Sequence, residues 1–389
     1  MKLAKRIANV PPYLFAEIDK KKAALQAKGA DIIDFGIGDP DLPTPETITN
    51  VLQAAVKEPQ FQQYPPYKGT HEFREAVATW YSKRFGVKLD AKSEVMALIG
   101  SKEGLAHIVF AFIDPGDIAL VPDPAYPVYR VATILAGGTP YIMPLKEENG
   151  FLPKLNEIPK NIAKKAKLMF INYPNNPTGA VADEKFLKAA VAFAREYDIL
   201  LCSDLAYSEM AYDGYRPKSI LEIPGAKNVA VEFHSLSKTY NVTGWRLGMV
   251  VGNAKALHAL SIIKTNIDSG AYKAIQHAGA KALTGAQDCV LATVATFAER
   301  RDALVNGLNT LGWKLEKPKA TFYVWVKTPK GHTSSQFVEE LMDKCAILAV
   351  PGSGYGKFGE GYIRMAITVK TSRIKEALQR MKKAGIRYS

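Results

Sequence analysis

The chain has 389 residues, of which 47% are hydrophobic and 23% are charged, and its net charge is +13 at neutral pH. This length exceeds what one ordinary hydrophobic core supports, so we expect a globular protein of two domains. No apolar run approaches the roughly 18 residues that a membrane-spanning helix requires, and Pro11 and Pro12 interrupt the basic N-terminus before a signal-peptide core. Three widely spaced cysteines without a CxxC pair are typical of reduced thiols, so we expect a cytoplasmic protein with no membrane partner.

The positive charge is spread along the chain. Lysine and glutamate mix in the helical segments, and no basic run is interleaved with stacking aromatic residues. The densest basic patch, residues 370–387, has apolar residues at helical spacing, which predicts an amphipathic helix with a solvated basic face. We therefore expect no nucleic-acid partner, and a general field that attracts anionic substrates.

The first candidate ligand-binding segments lie in the N-terminal third. In residues 35–38, glycine would let the backbone approach a ligand. Ser101 and Lys102 begin a predicted helix with an apolar face, and a helix start offers backbone N–H groups to an anion. Ordinary helix capping is the alternative. No GxxxxGK[ST] motif is present, so a P-loop nucleotide site finds no support.

Short apolar runs alternate with an amphipathic helical stretch in the middle of the chain. The candidate strands are residues 118–121, 168–171, 199–202, 229–233 and 247–251, and residues 183–197 form a predicted helix between two of them. This spacing predicts βαβ units, an α/β fold and a mostly parallel central sheet flanked by helices. Because ligands bind beyond the carboxyl ends of such strands, the polar residues that follow each strand are candidate site residues.

Three such residues follow the middle strands. Tyr126 lies on a proline-stiffened loop, and Asn176 lies in a turn whose prolines and asparagines would aim one amide at a ligand. Asp204 could stay ionised beside the ring nitrogen of a bound pyridine-type cofactor and keep that nitrogen protonated. Tyr207, three residues on, could reach a phenolate oxygen of the same ring. Simple packing, a plain turn and a strand-end cap are the respective alternatives for the first three.

Lys238 follows the strand at residues 229–233 in the motif Ser-Leu-Ser-Lys. The strand and turn would partly desolvate its amine and lower its pKa, which a Schiff-base nucleophile requires. Ser235, Ser237 and Arg246 would supply two hydroxyls and a guanidinium to a phosphate. Together they predict a pyridoxal phosphate site, with a surface lysine in a polar turn as the alternative.

The chain beyond residue 286 has helical periodicity, a strand signal at residues 321–326 and a glycine-rich run at 351–356, as a smaller α+β domain would. We assign residues 1–40 to an N-terminal arm and part of that small domain, 41–285 to a large cofactor-binding domain, and 286–389 to the small domain. Arg364 interrupts an apolar strand pattern, so it requires an anionic partner in a ligand or a structural salt bridge. The histidines show no metal-binding spacing and no GxSxG is present, so we expect no metal and no Ser-His-Asp hydrolase.

These motifs, in this order from Tyr13 to Arg364, resemble the class I/II aminotransferases of the aspartate aminotransferase superfamily. Residues 235–248, S-L-S-K-T-Y-N-V-T-G-W-R-L-G, match the family's lysine-attachment pattern throughout. The resemblance implies the type I pyridoxal phosphate-dependent transferase fold, the cofactor pyridoxal 5'-phosphate, amino acid and 2-oxo acid substrates, and a homodimer with shared active sites.

The resemblance also implies roles for the residues. Lys238 would be the Schiff-base lysine and proton shuttle, Asp204 the pyridinium partner, Asn176 and Tyr207 the contacts of the ring oxygen, and Tyr126 the stacking aromatic ring. The residues that would hold the phosphate are Ser101, Lys102, Ser235, Ser237 and Arg246, with Tyr64 from the other subunit. The residues that would serve the substrate are Arg364 and the Gly38 amide at its α-carboxylate, and Asn266 from the partner subunit.

Residues 12–18 and the run G-I-G-D-P-D-L-P-T-P at 36–45 most resemble LL-diaminopimelate aminotransferases, which exchange an amino group between LL-diaminopimelate and 2-oxoglutarate in lysine biosynthesis. Tyr67 stands where a better-known subgroup has a glutamate that helps to recognise the distal end of the substrate, and Tyr13 is our candidate contact there. Specificity for aspartate, alanine or aromatic donors, or β-lyase activity, would share every motif. A pyridoxal phosphate-binding transcription regulator would need a DNA-binding domain, for which residues 1–40 are too few.

Overall fold

The computed structural model describes residues 1–11, 22–23, 26–27 and 29–388 of the chain. Tyr13, the candidate contact for the distal end of the substrate, lies outside the described residues. The strands within them are β1 Ile33–Asp34, β2 Val95–Leu98, β3 Ile118–Asp123, β4 Thr139–Pro144, β5 Ala166–Asn172, β6 Leu200–Asp204, β7 Ala230–Ser235, β8 Gly248–Gly252, β9 Tyr323–Lys327, β10 Ile347–Leu348, β11 Val350–Pro351 and β12 Tyr362–Ala366.

Helices occupy much of the remaining chain. Over the same residues they are α1 Lys5–Ala8, α2 Glu46–Ala55, α3 His71–Phe85, α4 Ser101–Phe112, α5 Val128–Leu135, α6 Lys160–Ala163, α7 Glu184–Tyr197, α8 Leu236–Thr239, α9 Ala254–Ile267, α10 Lys273–Thr284, α11 Asp288–Thr310, α12 Ser334–Cys345 and α13 Thr371–Lys383. In the part of the chain that the structure describes, none of the helices has both the length and the apolar character to cross a membrane.

A seven-stranded sheet forms the centre of the fold, with the strand order β2-β8-β7-β6-β5-β3-β4. The strands from β7 to β4 run parallel to their neighbours, whereas β8 runs antiparallel to both β7 and β2. Every residue of β3, β7 and β8 is buried, and the sequences of β3 and β8 are accordingly almost wholly apolar, whereas β7 also buries Glu232 and His234. The predicted α/β fold with a mostly parallel central sheet is confirmed.

The reversed strand β8 determines which residues reach the carboxyl edge of the sheet. In its register with β7, Ser235 at the end of β7 lies opposite Gly248 at the start of β8. The segment between them, residues 236–247, therefore turns at the edge where the parallel strands end. Lys238 and Arg246 both lie on this turn.

Local signals explain why α7 begins and ends where it does. The Asp183 side chain accepts a hydrogen bond of 2.8 Å from the Phe186 N–H, which caps the first turn. The helix ends at Tyr197, and the next residue, Asp198, has a φ of 54° in the left-handed region. Phe186, Leu187 and Ala190 face the core, as their helical spacing predicts.

A second hydrophobic cluster lies outside the central sheet. It joins Ile33 and Phe35 to the strands β9 and β12 and to the helices α11, α12 and α13. The strands β11, β12 and β9 form a small antiparallel sheet, and β1 pairs with β10. Residues 33–35 thus pack with the C-terminal elements. The division of the chain into domains at residues 40 and 285 stays a prediction.

Candidate active site

A cavity of about 230 Å³ lies at the carboxyl edge of the central sheet. The ends of β5, β6 and β7 open into it, as the parallel topology predicts. The residues that line it are Gly38, Ser101, Lys102, Tyr126, Asn172, Asn176, Asp204, Ala206, Tyr207, Ser235, Ser237, Lys238, Arg246, Tyr323, Tyr355 and Arg364. The structure thus brings together most of the residues that the sequence motifs select.

Lys238 is positioned by the single helical turn α8, which follows β7 directly. The Ser235 side chain accepts a hydrogen bond of 3.2 Å from the Ser237 N–H and caps this turn. The Lys238 Nζ donates a hydrogen bond of 3.1 Å to the Gly38 carbonyl oxygen. Burial lowers the pKa of its amine to about 8; Arg246 and Arg364 act in the same direction, and Asp39 opposes them. Roughly a tenth of the amine is therefore unprotonated and nucleophilic at pH 7.

One end of the cavity is built to receive an anion. Helix α4 begins at Ser101, and Gly100 before it has a φ of 71° and lies so close to Arg246 that a Cβ there would overlap the guanidinium. A Cβ on Gly248 would lie 2.7 Å from the Ser101 nitrogen, so both glycines permit the close approach of the helix start to β8. The arginine and the helix start together favour a phosphate.

Ser237 adds a direct sign that a ligand group belongs at this end. Its hydroxyl oxygen is buried and has no hydrogen-bond partner within the described part of the chain. Buried hydroxyls are rarely left unsatisfied, and a phosphate oxygen would give this one an acceptor. The residues present therefore fit the phosphate of the predicted cofactor.

Asp204 ends β6 on the floor of the cavity and is 5% exposed. Its carboxylate accepts hydrogen bonds from the Tyr129 hydroxyl at 2.6 Å and from the Ala206 N–H at 3.3 Å. Burial raises its pKa to about 6, and these two hydrogen bonds act in the opposite direction. The group is mostly ionised at neutral pH, so it can pair with a cationic ring nitrogen.

Tyr129 and Asn172 hold this floor in place. The Tyr129 ring stacks on Phe170 with 5.0 Å between the ring centroids, which sets the direction of its hydroxyl. Asn172, the last residue of β5, donates from its amide to the Asp204 carbonyl oxygen at 2.8 Å and accepts from the Asn176 N–H at 2.9 Å. The two strand ends are thereby fixed relative to each other.

Arg364 reaches the cavity from β12 and is buried. Its guanidinium donates to the Asn176 side-chain oxygen at 3.0 Å and to the Gly36 carbonyl oxygen at 2.7 Å. It also lies over the Tyr323 ring, 4.2 Å from the centroid. These contacts present a preorganised cation to a carboxylate entering the cavity.

Tyr126, which follows β3, and Tyr207, which follows β6, also line the cavity. The Tyr207 hydroxyl lies 3.0 Å from the Tyr323 hydroxyl, and both side chains are buried. The Tyr126 ring packs edge-on against Tyr129, with 6.1 Å between the centroids, and the Lys102 Nζ lies 5.9 Å from its centroid.

Two of the residues selected by resemblance do not line this cavity. Tyr64 is 85% exposed, and Asn266 is exposed with its amide donating to the Ile262 carbonyl oxygen at 2.8 Å. Both were expected to serve the site of the other subunit. Their exposure is compatible with that role, which stays a prediction.

Sequence reasoning missed four of the residues that line the cavity, Asn172, Ala206, Tyr323 and Tyr355. Asn172 ends β5, so the rule that polar residues at strand ends form the site would have found it. Tyr323 lies within the predicted strand at residues 321–326, but no local signal in the sequence shows which residues of that strand face the cavity. Tyr355 lies in the glycine-rich run, which was interpreted only as part of the small domain.

Outside the cavity, Glu103, His107 and Asp268 offer possible metal-ligand atoms within 4.8 Å of one another. The buried Lys264 ammonium, however, lies 3.1 Å from the Glu103 carboxylate and 3.0 Å from that of Asp268. Glu103 also accepts a hydrogen bond of 3.0 Å from the Ile99 N–H. The lysine thus supplies a cation to this cluster, which ties the start of α4 to the end of α9.

Comparisons with known proteins agree with the geometry of the site. The model of the family "Aminotransferase class I and II" matches residues 30–381. An LL-diaminopimelate aminotransferase of Syntrophobacter fumaroxidans is 58% identical over 380 residues, which is 98% of each chain. An LL-diaminopimelate aminotransferase 2 of Trichormus variabilis is 55% identical over 390 residues, 100% of each chain.

Solved structures show the same fold. A substrate-bound BacF of Bacillus subtilis has a TM-score of 0.96 and 37% identity, covering 100% of this chain and 99% of its own. An aspartate aminotransferase of Thermotoga maritima has a TM-score of 0.90 and 31% identity, covering 98% and 99%. The predicted type I fold is confirmed, and the chain belongs to the pyridoxal phosphate-dependent class I and II aminotransferases.

Proposed function

We propose that this chain is an LL-diaminopimelate:2-oxoglutarate aminotransferase that acts in lysine biosynthesis. The choice of substrate is supported by the similarity of this chain, over nearly its whole length and at 51–58% identity, to proteins named LL-diaminopimelate aminotransferase. The observation that supports the reaction is the cavity in which the Lys238 amine and the Arg364 guanidinium converge. Similar folds carry several names, so the fold alone does not select the donor.

Pyridoxal phosphate supplies an electron-withdrawing ring that stabilises negative charge at the Cα of a bound amino acid. Asp204 would face the ring nitrogen and keep its proton, because an ionised buried carboxylate favours a cation beside it. Asn176 and Tyr207 would contact the phenolic oxygen of the ring, and Tyr126 would stack on its face. The residues that would hold its phosphate are Ser101, Lys102, Ser235, Ser237 and Arg246.

Lys238 would hold the cofactor and move the proton. With its pKa lowered to about 8, the Nζ can lose its own proton near neutral pH, so it would be able to accept one from the substrate Cα. The same lysine serves the reverse reaction on the 2-oxo acid, so ping-pong kinetics are expected.

Arg364 binds the α-carboxylate of the substrate, assisted by the Gly38 amide. Asn176 and Gly36 hold the guanidinium in one orientation, so little conformational freedom is lost when a carboxylate binds. Diaminopimelate also carries a charged distal end, which must be paired when it is buried. We propose that Tyr13 contacts this end, since Tyr67 stands where a related subgroup has glutamate.

We also propose a homodimer whose active sites are shared. Phe110, Ile262 and Ile267 are exposed apolar side chains on α4 and α9, two helices that pack against each other. Such a surface favours burial against a second copy of the chain. Tyr64 would then contact the phosphate of the partner's site, and Asn266 the substrate there.

Mixing two inactive variants tests whether the sites are shared. Lys238→Ala removes the nucleophile from its own site, and Tyr64→Ala would impair the site of the partner subunit. A hybrid dimer would therefore contain one site with both defects and one intact site, so mixing should recover activity. No recovery, with hybrid dimers confirmed by mass, would contradict the shared site.

We further propose that the enzyme acts in the cytoplasm on small molecules, without a nucleic-acid or membrane partner. Its three cysteines are free thiols, which is typical of a reducing compartment. Localisation of a tagged chain by fractionation would test this.

A panel of amino donors with 2-oxoglutarate as acceptor tests the substrate. We expect LL-diaminopimelate to exceed alanine and aspartate in kcat/KM by at least about a hundredfold, because a site built for a distal charged group rejects donors that leave it unpaired. meso-Diaminopimelate is the matched control, since it differs only in the configuration of one centre. Equal use of aspartate or alanine would contradict the diaminopimelate specificity and leave aminotransfer intact.

A further inference from the structure

The hydroxyl groups of Tyr207 and Tyr323 lie 3.0 Å apart in the interior of the cavity wall. Tyr207 follows β6, whereas Tyr323 begins β9, and 116 residues separate them in the sequence. Both side chains are buried, at 6% and 2% exposure, so bulk water does not compete for this hydrogen bond. Either hydroxyl can be the donor in the chain as it stands.

Once a ligand oxygen is present, the number of hydroxyl protons determines which of the two tyrosines donates the hydrogen bond between them. Each phenol carries one O–H and can donate one hydrogen bond while accepting others. When Tyr207 donates to the phenolic oxygen of the cofactor, it has no proton left for Tyr323. The hydrogen bond between the two tyrosines is then maintained only if Tyr323 is the donor.

Tyr323 is held firmly enough to act in this way. Its hydroxyl lies against Gly38, where a Cβ would overlap it, and its ring lies under the Arg364 guanidinium. The Phe322 ring packs edge-on against it with 4.8 Å between the centroids. The direction of the Tyr323 hydroxyl is therefore set by packing on several sides.

We propose that Tyr323 is a positioning residue that donates its proton to the Tyr207 oxygen and thereby directs the Tyr207 proton to the phenolic oxygen of pyridoxal phosphate. This inference rests on the proposed function, since it requires that oxygen. Donation from Tyr323 also polarises the Tyr207 hydroxyl and makes it a stronger donor. In this arrangement Tyr323 acts through Tyr207.

Replacing either tyrosine with phenylalanine removes a hydroxyl and changes no charge near neutral pH. Asp204, Arg364 and Asp39 are the charged residues that act electrostatically on one or both hydroxyls, and Lys238 lies nearby over the Phe322 ring. A shift that follows Tyr323→Phe or Tyr207→Phe therefore reports the loss of the hydrogen bond.

The visible absorbance of the loaded enzyme gives a readout that does not depend on turnover. The absorbance changes with pH as the proton beside the phenolic oxygen is lost, and the pH midpoint of this change measures how readily it is lost. A hydrogen-bond donor to the phenolic oxygen stabilises the deprotonated form. Losing the donor should therefore raise the midpoint. We expect a rise of about one pH unit for Tyr207→Phe, near the lower end for a hydrogen bond to a charged oxygen, and about half a unit for Tyr323→Phe, as for a hydrogen bond between neutral groups.

The double variant and a matched control complete the experiment. If Tyr323 acts through Tyr207, the double variant should have the same midpoint as Tyr207→Phe alone. Tyr212→Phe is the control, because Tyr212 is also buried but does not line the cavity. Its hydroxyl donates a hydrogen bond of 2.7 Å to the Thr321 carbonyl oxygen. The control should leave the midpoint unchanged, and thermal unfolding should confirm that all variants are folded; Tyr323→Leu replaces Tyr323→Phe if that variant does not fold.

Two results would overturn the inference. An unchanged midpoint in folded Tyr323→Phe would show that Tyr207 needs no second donor. Shifts that add in the double variant would show that Tyr323 acts on the cofactor independently. Failure of the wild-type chain to form the visible band with added pyridoxal phosphate would instead contradict the proposed function.

Discussion

Asp204 links the stability of the protein to its chemistry. Burial raises the pKa of its carboxyl from 3.8 to about 6, despite hydrogen bonds from Tyr129 and the Ala206 N–H. Because the unfolded chain ionises at lower pH, the folded state is destabilised by this group. The destabilisation is absent below about pH 3.8, develops up to about pH 6 and stays constant above it. A rise of about two pH units corresponds to ~3 kcal/mol in the free energy of unfolding.

The substitution Asp204→Asn removes the charge and keeps the size of the side chain. Losing one good hydrogen bond offsets ~1 kcal/mol of the gain. We therefore expect the cofactor-free variant to be more stable than the cofactor-free wild type by ~2 kcal/mol at pH 8, and by less than ~1 kcal/mol at pH 5. Transamination should fall by several orders of magnitude, because the cofactor ring loses the partner of its nitrogen.

Thermal unfolding of the cofactor-free proteins, at matched protein concentration and at both pH values, measures the first effect. Asp183→Asn is the matched control: Asp183 caps α7 away from the cavity, and asparagine caps helices equally well. A cofactor-free Asp204→Asn variant less stable than wild type at pH 8 would refute the reasoning. Near-normal turnover in that variant would show that Asp204 only caps the strand.

Two other substitutions separate chemistry from structure. Lys238→Ala should still bind pyridoxal phosphate but lose transamination, and borohydride should fix the cofactor to Lys238 in the wild type; a labelled peptide lacking this residue would contradict the assignment. Lys264→Met leaves the carboxylates of Glu103 and Asp268 without their buried cation, so we expect a loss of ~3 kcal/mol in the free energy of unfolding. The exposed pair of Lys281 provides the control, since Lys281→Met should cost less than ~1 kcal/mol, and equal losses in the two variants would count against the buried cluster.

Much of the site could be predicted because its residues lie in local patterns. Asp204 and Asn176 follow strands with recognisable apolar runs, and the parallel arrangement brings such strand ends to one edge. Lys238 and Arg246 lie in one short segment. In these cases local sequence and the topology of the sheet give the same answer.

The features that escaped prediction depend on distant contacts or on atypical residues. The strand β4, Thr139–Pro144, contains two prolines, which argue against a strand in a sequence but are tolerated at the edge of a sheet. The contact between Tyr323 and Tyr207 joins distant parts of the chain, so no local pattern signals it. Most lysines are exposed, but Lys264 is buried because two carboxylates pair with it. One is Glu103 in the helix α4 and the other is Asp268, just beyond the end of α9.

The reversal of β8 has a consequence for chain entropy. Because β8 returns beside β7, the residues Ser235, Ser237, Lys238 and Arg246 lie within one short stretch of chain whose closure costs little entropy. Arg364 is instead held by Asn176 and Gly36, which lie 188 and 328 residues away along the chain. Its position depends on long-range closure and on the packing of the C-terminal elements. Mild denaturant should consequently abolish recognition of the substrate carboxylate before it releases the cofactor.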